Sequence, residues 1–551
     1  MEYEILEYSS DNLLIALNNK KISSENLENK HHLEYFENYL GAKGIGAQSI
    51  LIEKKYISKA YLIDYSNYYS TCFQNYKRIC KRIHFFKERI TEERFEKELF
   101  DNNSNYLNEN YLGYIVLKPL PESIIGPTLL KTYPSDHEKG TRYYPACRNY
   151  DVNLFGKKLS LETLAFQEQD YTVAACASVA IWSAFHKTSK LFDTHLPSPS
   201  EITKSAGNTY LNNGRTFPTP GLDIFQICEA IAALGIDPEL EISWQFRKDS
   251  QLAKRLIYAY SKAGLPVLLF FNFANSIPQE KDRSVEDEKS DDGVEDDKLS
   301  KQSTEKSSDR TDEEQQDTTD YDLDIDDENG HLITIVGYSD ENRELEKTDE
   351  ISLFADRIKK FYAHDDQVGP FARMEFDGNE NITTSWEDGD TSTKGAIYSV
   401  IIPIYKKVRI KFIDVFTTIS SIDQILFQAN IFTGELEWDI FLQDSNTYKS
   451  TVCNSEFEND IKRKVQFSSY PKYIWIGSAT IAGEKLFDFI FDSTDIASGY
   501  YCIDFVLFFT KDGFPERLKK HFELFENIYC EELNGPRLGE KLYNKIIQNF
   551  E

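Results

Sequence analysis

Gln167-Glu168-Gln169-Asp170-Tyr171-Thr172-Val173-Ala174-Ala175-Cys176-Ala177-Ser178-Val179-Ala180-Ile181-Trp182 is the stretch that decides the fold. A polar segment with two glutamines runs into small residues, a cysteine and an apolar helical run. This layout predicts a thiol at the N-terminus of a buried helix, where unpaired backbone N–H groups and the helix dipole favour thiolate. Further on, His331-Leu332-Ile333-Thr334-Ile335-Val336-Gly337-Tyr338 reads as a buried strand opening on a histidine. Phe361-Tyr362-Ala363-His364-Asp365-Asp366-Gln367-Val368-Gly369-Pro370 reads as a strand ending in carboxylates. A lone cysteine in an Ala/Val helix is usually a packing residue, and Asp-Asp before Gly is usually a turn. Cysteine, histidine and aspartate in this order, each on its own element, instead make a nucleophile, a base and an orienting acid.

The bulk composition bounds the alternatives. A chain of 551 residues is too long for one ordinary core, so two or three domains are expected. Hydrophobic residues at 40% and aromatics at 14% exclude a wholly disordered protein. A net charge of -29 argues against nucleic acid or anionic membrane as a partner, because both need basic surface. About half of that charge falls in residues 280–329. Eight cysteines (Cys72, Cys80, Cys147, Cys176, Cys228, Cys453, Cys502, Cys530) form no CxxC pair. Neither a disulfide scaffold nor a zinc ribbon is expected, and a reducing cytoplasm fits best. The first residues lack a basic n-region and an apolar h-region, and no run has the roughly 18 apolar residues of a membrane helix.

Three regions follow from the patterning. Residues 1–150 mix strands and helices: a strand at Ser49–Glu53, an aromatic helix over Tyr61–Phe86, a helix capped by Thr91, and a strand at Tyr111–Pro119. They read as an accessory or partner-binding unit. Residues 151–405 hold the chemistry. There Asp223 caps a helix that Gly235 ends, Leu252–Ala263 is a helix closed by Gly264, and Leu265–Phe271 is a buried strand. Within this region about 278–329 is an acidic insert too poor in large apolar residues to order itself. Its Asp322-Leu323-Asp324-Ile325-Asp326 lacks the glycine and terminal glutamate of a calcium loop, so neither metal nor cofactor is expected. Residues 406–551 read as β-rich, a sandwich in outline, with strands at Val408–Phe416, Trp438–Leu442, Tyr473–Gly477, Phe487–Phe491 and Tyr501–Phe509 and a closing helix at Pro515–Glu526.

Gln169, Cys176, His331 with Val336-Gly337-Tyr338, and Asp365 followed by Gly369 resemble the papain-like cysteine peptidase superfamily, most closely its bacteriocin-leader-processing branch. The resemblance covers about residues 160–375. It implies an α+β central domain in which a cysteine-bearing helix packs on an antiparallel sheet bearing the histidine and aspartate. It also implies Cys176 as nucleophile, His331 as base and acid, Asp365 or Asp366 as the orienting carboxylate, and Gln169 as an oxyanion donor. The chain departs from the family pattern in having Ala177 where glycine follows the nucleophile, and in placing Gln169 seven residues before the cysteine rather than six. The implied activity is that of a thiol hydrolase acting on a protein or peptide, with the flanking regions selecting substrate or partner. The same residues serve an acyltransferase or deamidase. A rival of another class is a non-catalytic interaction protein that keeps the fold. Of the other histidines, His186 suits a helix C-terminus as a cation, His364 could join the carboxylates at a metal, and His31 and His32 read as exposed.

Overall fold

The computed structural model describes residues 2–18, 31–121, 123–137, 140–170, 172–207, 221–242, 250–273, 330–341, 351–376, 381–383, 394–428, 432, 436–496, 501–511, 513–524 and 543–548. The acidic stretch at 278–329, with Asp322–Asp326, and Cys530 lie outside them. The architecture is α+β, with helices packed on sheets that are antiparallel but for one short pairing.

The N-terminal strands β1 (Tyr3–Glu7), β2 (Ser49–Tyr56), β3 (Cys80–Phe86), β4 (Tyr111–Leu117) and β5 (Ile125–Leu130) form one antiparallel sheet in chain order. Leu13, Leu17, Phe36 and Leu40, from the helices Ser10–Leu17 and His31–Leu40, pack with Ile50, Ile83 and Ile115 of the sheet. The expected aromatic helix over Tyr61–Phe86 is not one element. A helix spans Lys59–Asn67, a single 3-10 turn follows at Tyr69–Thr71, and Cys80–Phe86 is the middle strand. That strand is buried on both faces, and Lys81, Arg82 and His84 fall among its apolar residues on either face, so its sequence lacks the clean alternation that distinguishes a strand from a helix.

Next come β6 (Asp136–His137), β7 (Gly140–Tyr143), the hairpin β8 (Arg148–Leu154) and β9 (Lys157–Thr163), and β10 (Asp237–Ile242). After them β11 (Val267–Phe273), β12 (Gly330–Glu341), the short β13 (Ser352–Leu353), β14 (Ile358–Asp365), β15 (Gly369–Phe376), β16 (Asn381–Thr383) and β17 (Lys394–Ile404) complete the centre. Leaving β13 aside, these last strands close into a six-stranded antiparallel barrel, because β17 pairs with β11 as well as with β16. β10 extends it beside β17, and β7 beside β12. Residue parity assigns the two faces of the strands. Leu268, Phe270 and Leu332 pack against Ala177, Ile181 and Phe185 of the helix Cys176–Phe192, whereas Val267, Leu269, Ile333 and Ile335 face the opposite core. Thr334 donates its hydroxyl to the Ala180 carbonyl at 2.8 Å, which sets the helix in register on β12. The helix signals hold locally: Asp223 and Gln226 form a reciprocal capping box, and Gly235 and Gly264 take φ of +88° and +80° where helices end.

The C-terminal region departs from the β-rich sandwich. β13 pairs in parallel with β18 (Glu437–Asp444), followed by β19 (Tyr473–Ile481), β20 (Glu484–Asp492) and β21 (Cys502–Leu507) in a single sheet. Helices cover both of its faces. Tyr473 and Trp475 point to a core shared with the barrel and the helix Phe412–Gln428, while Ile474 and Ile476 meet the helices Ser445–Asn454 and Asn459–Phe467. Val408–Phe416, read as a strand, instead leads into the helix Phe412–Gln428. Phe412, Val415, Ile419, Ile422 and Leu426 recur every three or four residues and are buried on one side, and the Asp414 carboxylate accepts the Lys411 N–H at 3.0 Å. Among the described residues no helix is long and apolar enough to cross a membrane.

In the β11–β12 pairing Asn272 stands opposite Gly330, so the two ends of the acidic stretch meet side by side. Replacing residues 274–329 by a short Asn-Gly turn should therefore preserve the fold. Shortening the closed loop should raise unfolding free energy by up to about 2 kcal/mol, read from urea denaturation.

Candidate active site

Cys176 is the first residue of its helix, and the preceding Ala175 offers no side chain to cap it. The chain reaches that position through a loop wound around Asp170. One oxygen of this carboxylate accepts the N–H groups of Thr172, Val173 and Ala174 at 2.9, 2.7 and 3.1 Å. The other accepts the Tyr69 hydroxyl at 3.0 Å, and the Asp170 N–H returns to the Ala174 carbonyl at 2.8 Å. The sequence reading did not single out Asp170. Its signal was an aspartate two residues before a threonine, the composition of an Asx turn.

His331 opens β12 and Asp365 closes β14, two antiparallel neighbours. The His331 Nε2 lies 3.0 Å from an Asp365 oxygen, and the Cys176 side chain is hydrogen-bonded to the same imidazole. His331 and Asp365 are each 1% exposed. Burial opposes charge on His331, but attraction and hydrogen bonding from Asp365, then the Cys176 contact and the charge of Asp366, hold it well above the usual imidazole range. Asp365 is fixed in turn by the Gln367 N–H at 3.0 Å.

Asp366 is placed differently. Its nearer oxygen is 3.8 Å from His331 Nε2, too far for a hydrogen bond, and its other oxygen has no partner among the described residues. Burial pushes this carboxyl up to about 7, opposed by His331 and reinforced by the charge of Asp365. Asp365 is thus the residue that holds the imidazole, and Asp366 is a neighbour within the same field. Gln169 is partly exposed, one residue before Asp170 on the cysteine loop, while Gln167 is buried.

The remaining histidines correct three expectations. His364 lies in β14 between Ala363 and Asp365 and points away from the carboxylates. Its Nδ1 meets Ser183 Oγ at 2.9 Å and the Ala165 carbonyl at 3.2 Å, and burial pushes it down to about 3, so it joins no metal cluster with them. His186 is no cation at a helix end: burial first, then Arg148, pushes it down to about 3 between Trp182 and Tyr150. His32 is not free on the surface but donates Nε2–H to the Asp366 carbonyl at 2.7 Å. His331, Asp365 and Asp366 each bring a donor atom to within 4.8 Å of one another. Within that cluster the 3.0 Å contact between His331 Nε2 and Asp365 has the length of a hydrogen bond.

Asp64, Glu239 and Asp366 are each pushed up to about 7 by burial. The folded state thus holds protons that the unfolded chain releases near pH 4, and stability should fall as pH rises from about 4 to 7. Asp366→Asn should remove part of that slope, raising the thermal midpoint at pH 8 more than at pH 5. No model of a known protein family matches the chain and no curated protein matches it, so its chemistry rests on the geometry of the site itself.

Proposed function

We propose that the chain is a thiol hydrolase of papain-like fold, a cysteine peptidase that cleaves a protein or peptide through Cys176, His331 and Asp365. One observation carries the reading: a fully buried imidazole held between the thiol at a helix N-terminus and a carboxylate on the neighbouring strand. A binding surface has no use for such a set, because taking an ionisable pair out of water is costly unless the geometry serves something.

In the first half-reaction His331 takes the Cys176 proton, and the sulfur attacks the carbonyl carbon of the scissile bond. The carbonyl electrons move to oxygen, where the Cys176 N–H and the Gln169 side chain receive the oxyanion. As it collapses, the carbon–nitrogen bond breaks and His331 gives its proton to the departing amine. Asp365 holds the ring in one orientation throughout. Water, deprotonated by His331, then attacks the thioester and releases the acid and the free thiol. If an amine takes the place of that water, the same steps perform acyl transfer. The N- and C-terminal regions would select the substrate or a protein partner.

The other thiols provide internal controls. Burial pushes Cys80 up to about 12 and Cys228 up to about 11, while Cys453 is exposed. At pH 6.5, iodoacetamide followed by peptide mapping should label Cys176 fastest, and His331→Ala should slow that labelling by about 10²-fold, the scale of a lost general base. Labelling of Cys176 no faster than Cys453 would make it a packing residue and the chain a binding protein.

A further inference from the structure

We propose that the N-terminal region is a brace that sets the geometry of the reacting groups from two sides, with His32 and Tyr69 as positioning residues. The inference rests on reading Cys176, His331 and Asp365 as the reacting set. Cys176 opens its helix, His331 lies near the start of β12 and Asp365 ends β14. The placement of Cys176 and Asp365 depends on the turns that carry them, and both turns are tied to residues before 131.

On the aspartate side, the turn from Asp365 to Gly369 joins β14 to β15, closed by the Val368 N–H on the Asp365 carbonyl at 3.1 Å. The helix His31–Leu40 lies against it. His32 donates to the Asp366 carbonyl at 2.7 Å, and the Tyr35 hydroxyl donates to the Pro370 carbonyl at 2.5 Å. The Tyr35 ring covers Gly369 so closely that a Cβ there would stand 2.3 Å from it. Tyr39 of the same helix stacks on Phe371 with ring centroids 6.3 Å apart.

On the cysteine side, Tyr69 donates to Asp170 at 3.0 Å and meets the Thr172 hydroxyl at 3.2 Å. The preceding residues are stitched to β5. Thr128 and Phe166 exchange both backbone hydrogen bonds at 2.7 and 3.0 Å, and the Ile125 N–H donates to the Glu168 carboxylate at 3.0 Å. These contacts hold residues one to ten positions from Asp365 or Cys176. A displacement of the helix His31–Leu40 would therefore shift Asp365, and with it the imidazole, through the turn that carries it. Misplacement by about 1 Å is enough to cost catalysis about 10²-fold.

The test uses the full chain and the iodoacetamide rate at Cys176, at pH 6.5 and pH 9, with Cys453 in the same sample as reference. His32→Ala and Tyr69→Phe should each slow Cys176 at pH 6.5 by about tenfold or more, with smaller effects at pH 9 and with the thermal midpoint and the Cys453 rate held. His32→Gln keeps an N–H for the Asp366 carbonyl and should recover most of the loss. Wild-type rates in both His32→Ala and Tyr69→Phe, with His331→Ala still slow, would overturn the brace and leave the peptidase reading standing. A slow His32→Ala with no recovery in His32→Gln would overturn the hydrogen-bonding role of His32. Should wild-type Cys176 itself react no faster than Cys453 and ignore His331→Ala, the reacting set falls, and the brace with it.

Discussion

The 3.0 Å contact between His331 and Asp365, in a site where neither is more than 1% exposed, is the constraint on which the rest of the centre depends. A charge-bearing pair in that setting is costly unless every donor and acceptor around it is placed. That demand falls on the backbone. β12 and β14 must be hydrogen-bonded neighbours for the two side chains to meet, and the helix Cys176–Phe192 must cross β12 for its first residue to reach the imidazole. The Thr334–Ala180 hydrogen bond and the apolar face of Leu268, Phe270 and Leu332 provide that crossing.

The same constraint explains why residue parity matters so much in β14. His364 and Asp365 are adjacent in sequence, yet a strand sends neighbours to opposite faces. One becomes a buried neutral histidine on Ser183 and the other the partner of His331. Asp366, just past the strand, reaches neither role and keeps an unpartnered buried oxygen among the described residues. The site thus holds two carboxyls in contrasting settings: one hydrogen-bonded to His331, the other pushed up to about 7 by burial.

Much of this was legible in the chain. The cysteine at a helix start, the histidine opening a strand and the aspartates closing another were each read from local pattern, as were the Asp223 cap and the glycine stops at 235 and 264. The failures have physical causes. Cys80–Phe86, with Lys81, Arg82 and His84 among its apolar residues, and the apolar Tyr473–Ile476 run are both buried on two faces, and neither carries a clean two-residue period. The Tyr473–Ile476 run was still read as a strand, but the helices on its two faces were not foreseen. Val408–Phe416 reads as a strand, whereas the three-and-four spacing that runs on from Phe412 belongs to the helix Phe412–Gln428. His32 was read as exposed because its neighbours are polar; its partner is a carbonyl more than three hundred residues later.

The sequence by itself determined which chemistry-bearing residues the chain has, their order, and the local elements that present them. Those follow from short-range rules of capping, periodicity and turn composition. Only the tertiary structure decided which aspartate holds His331, that His364 is turned away, and that the N-terminal region supports both ends of the site. These are matters of strand pairing between segments far apart in the chain. No local pattern encodes a register, and a shift of one residue would exchange Asp365 for its neighbours.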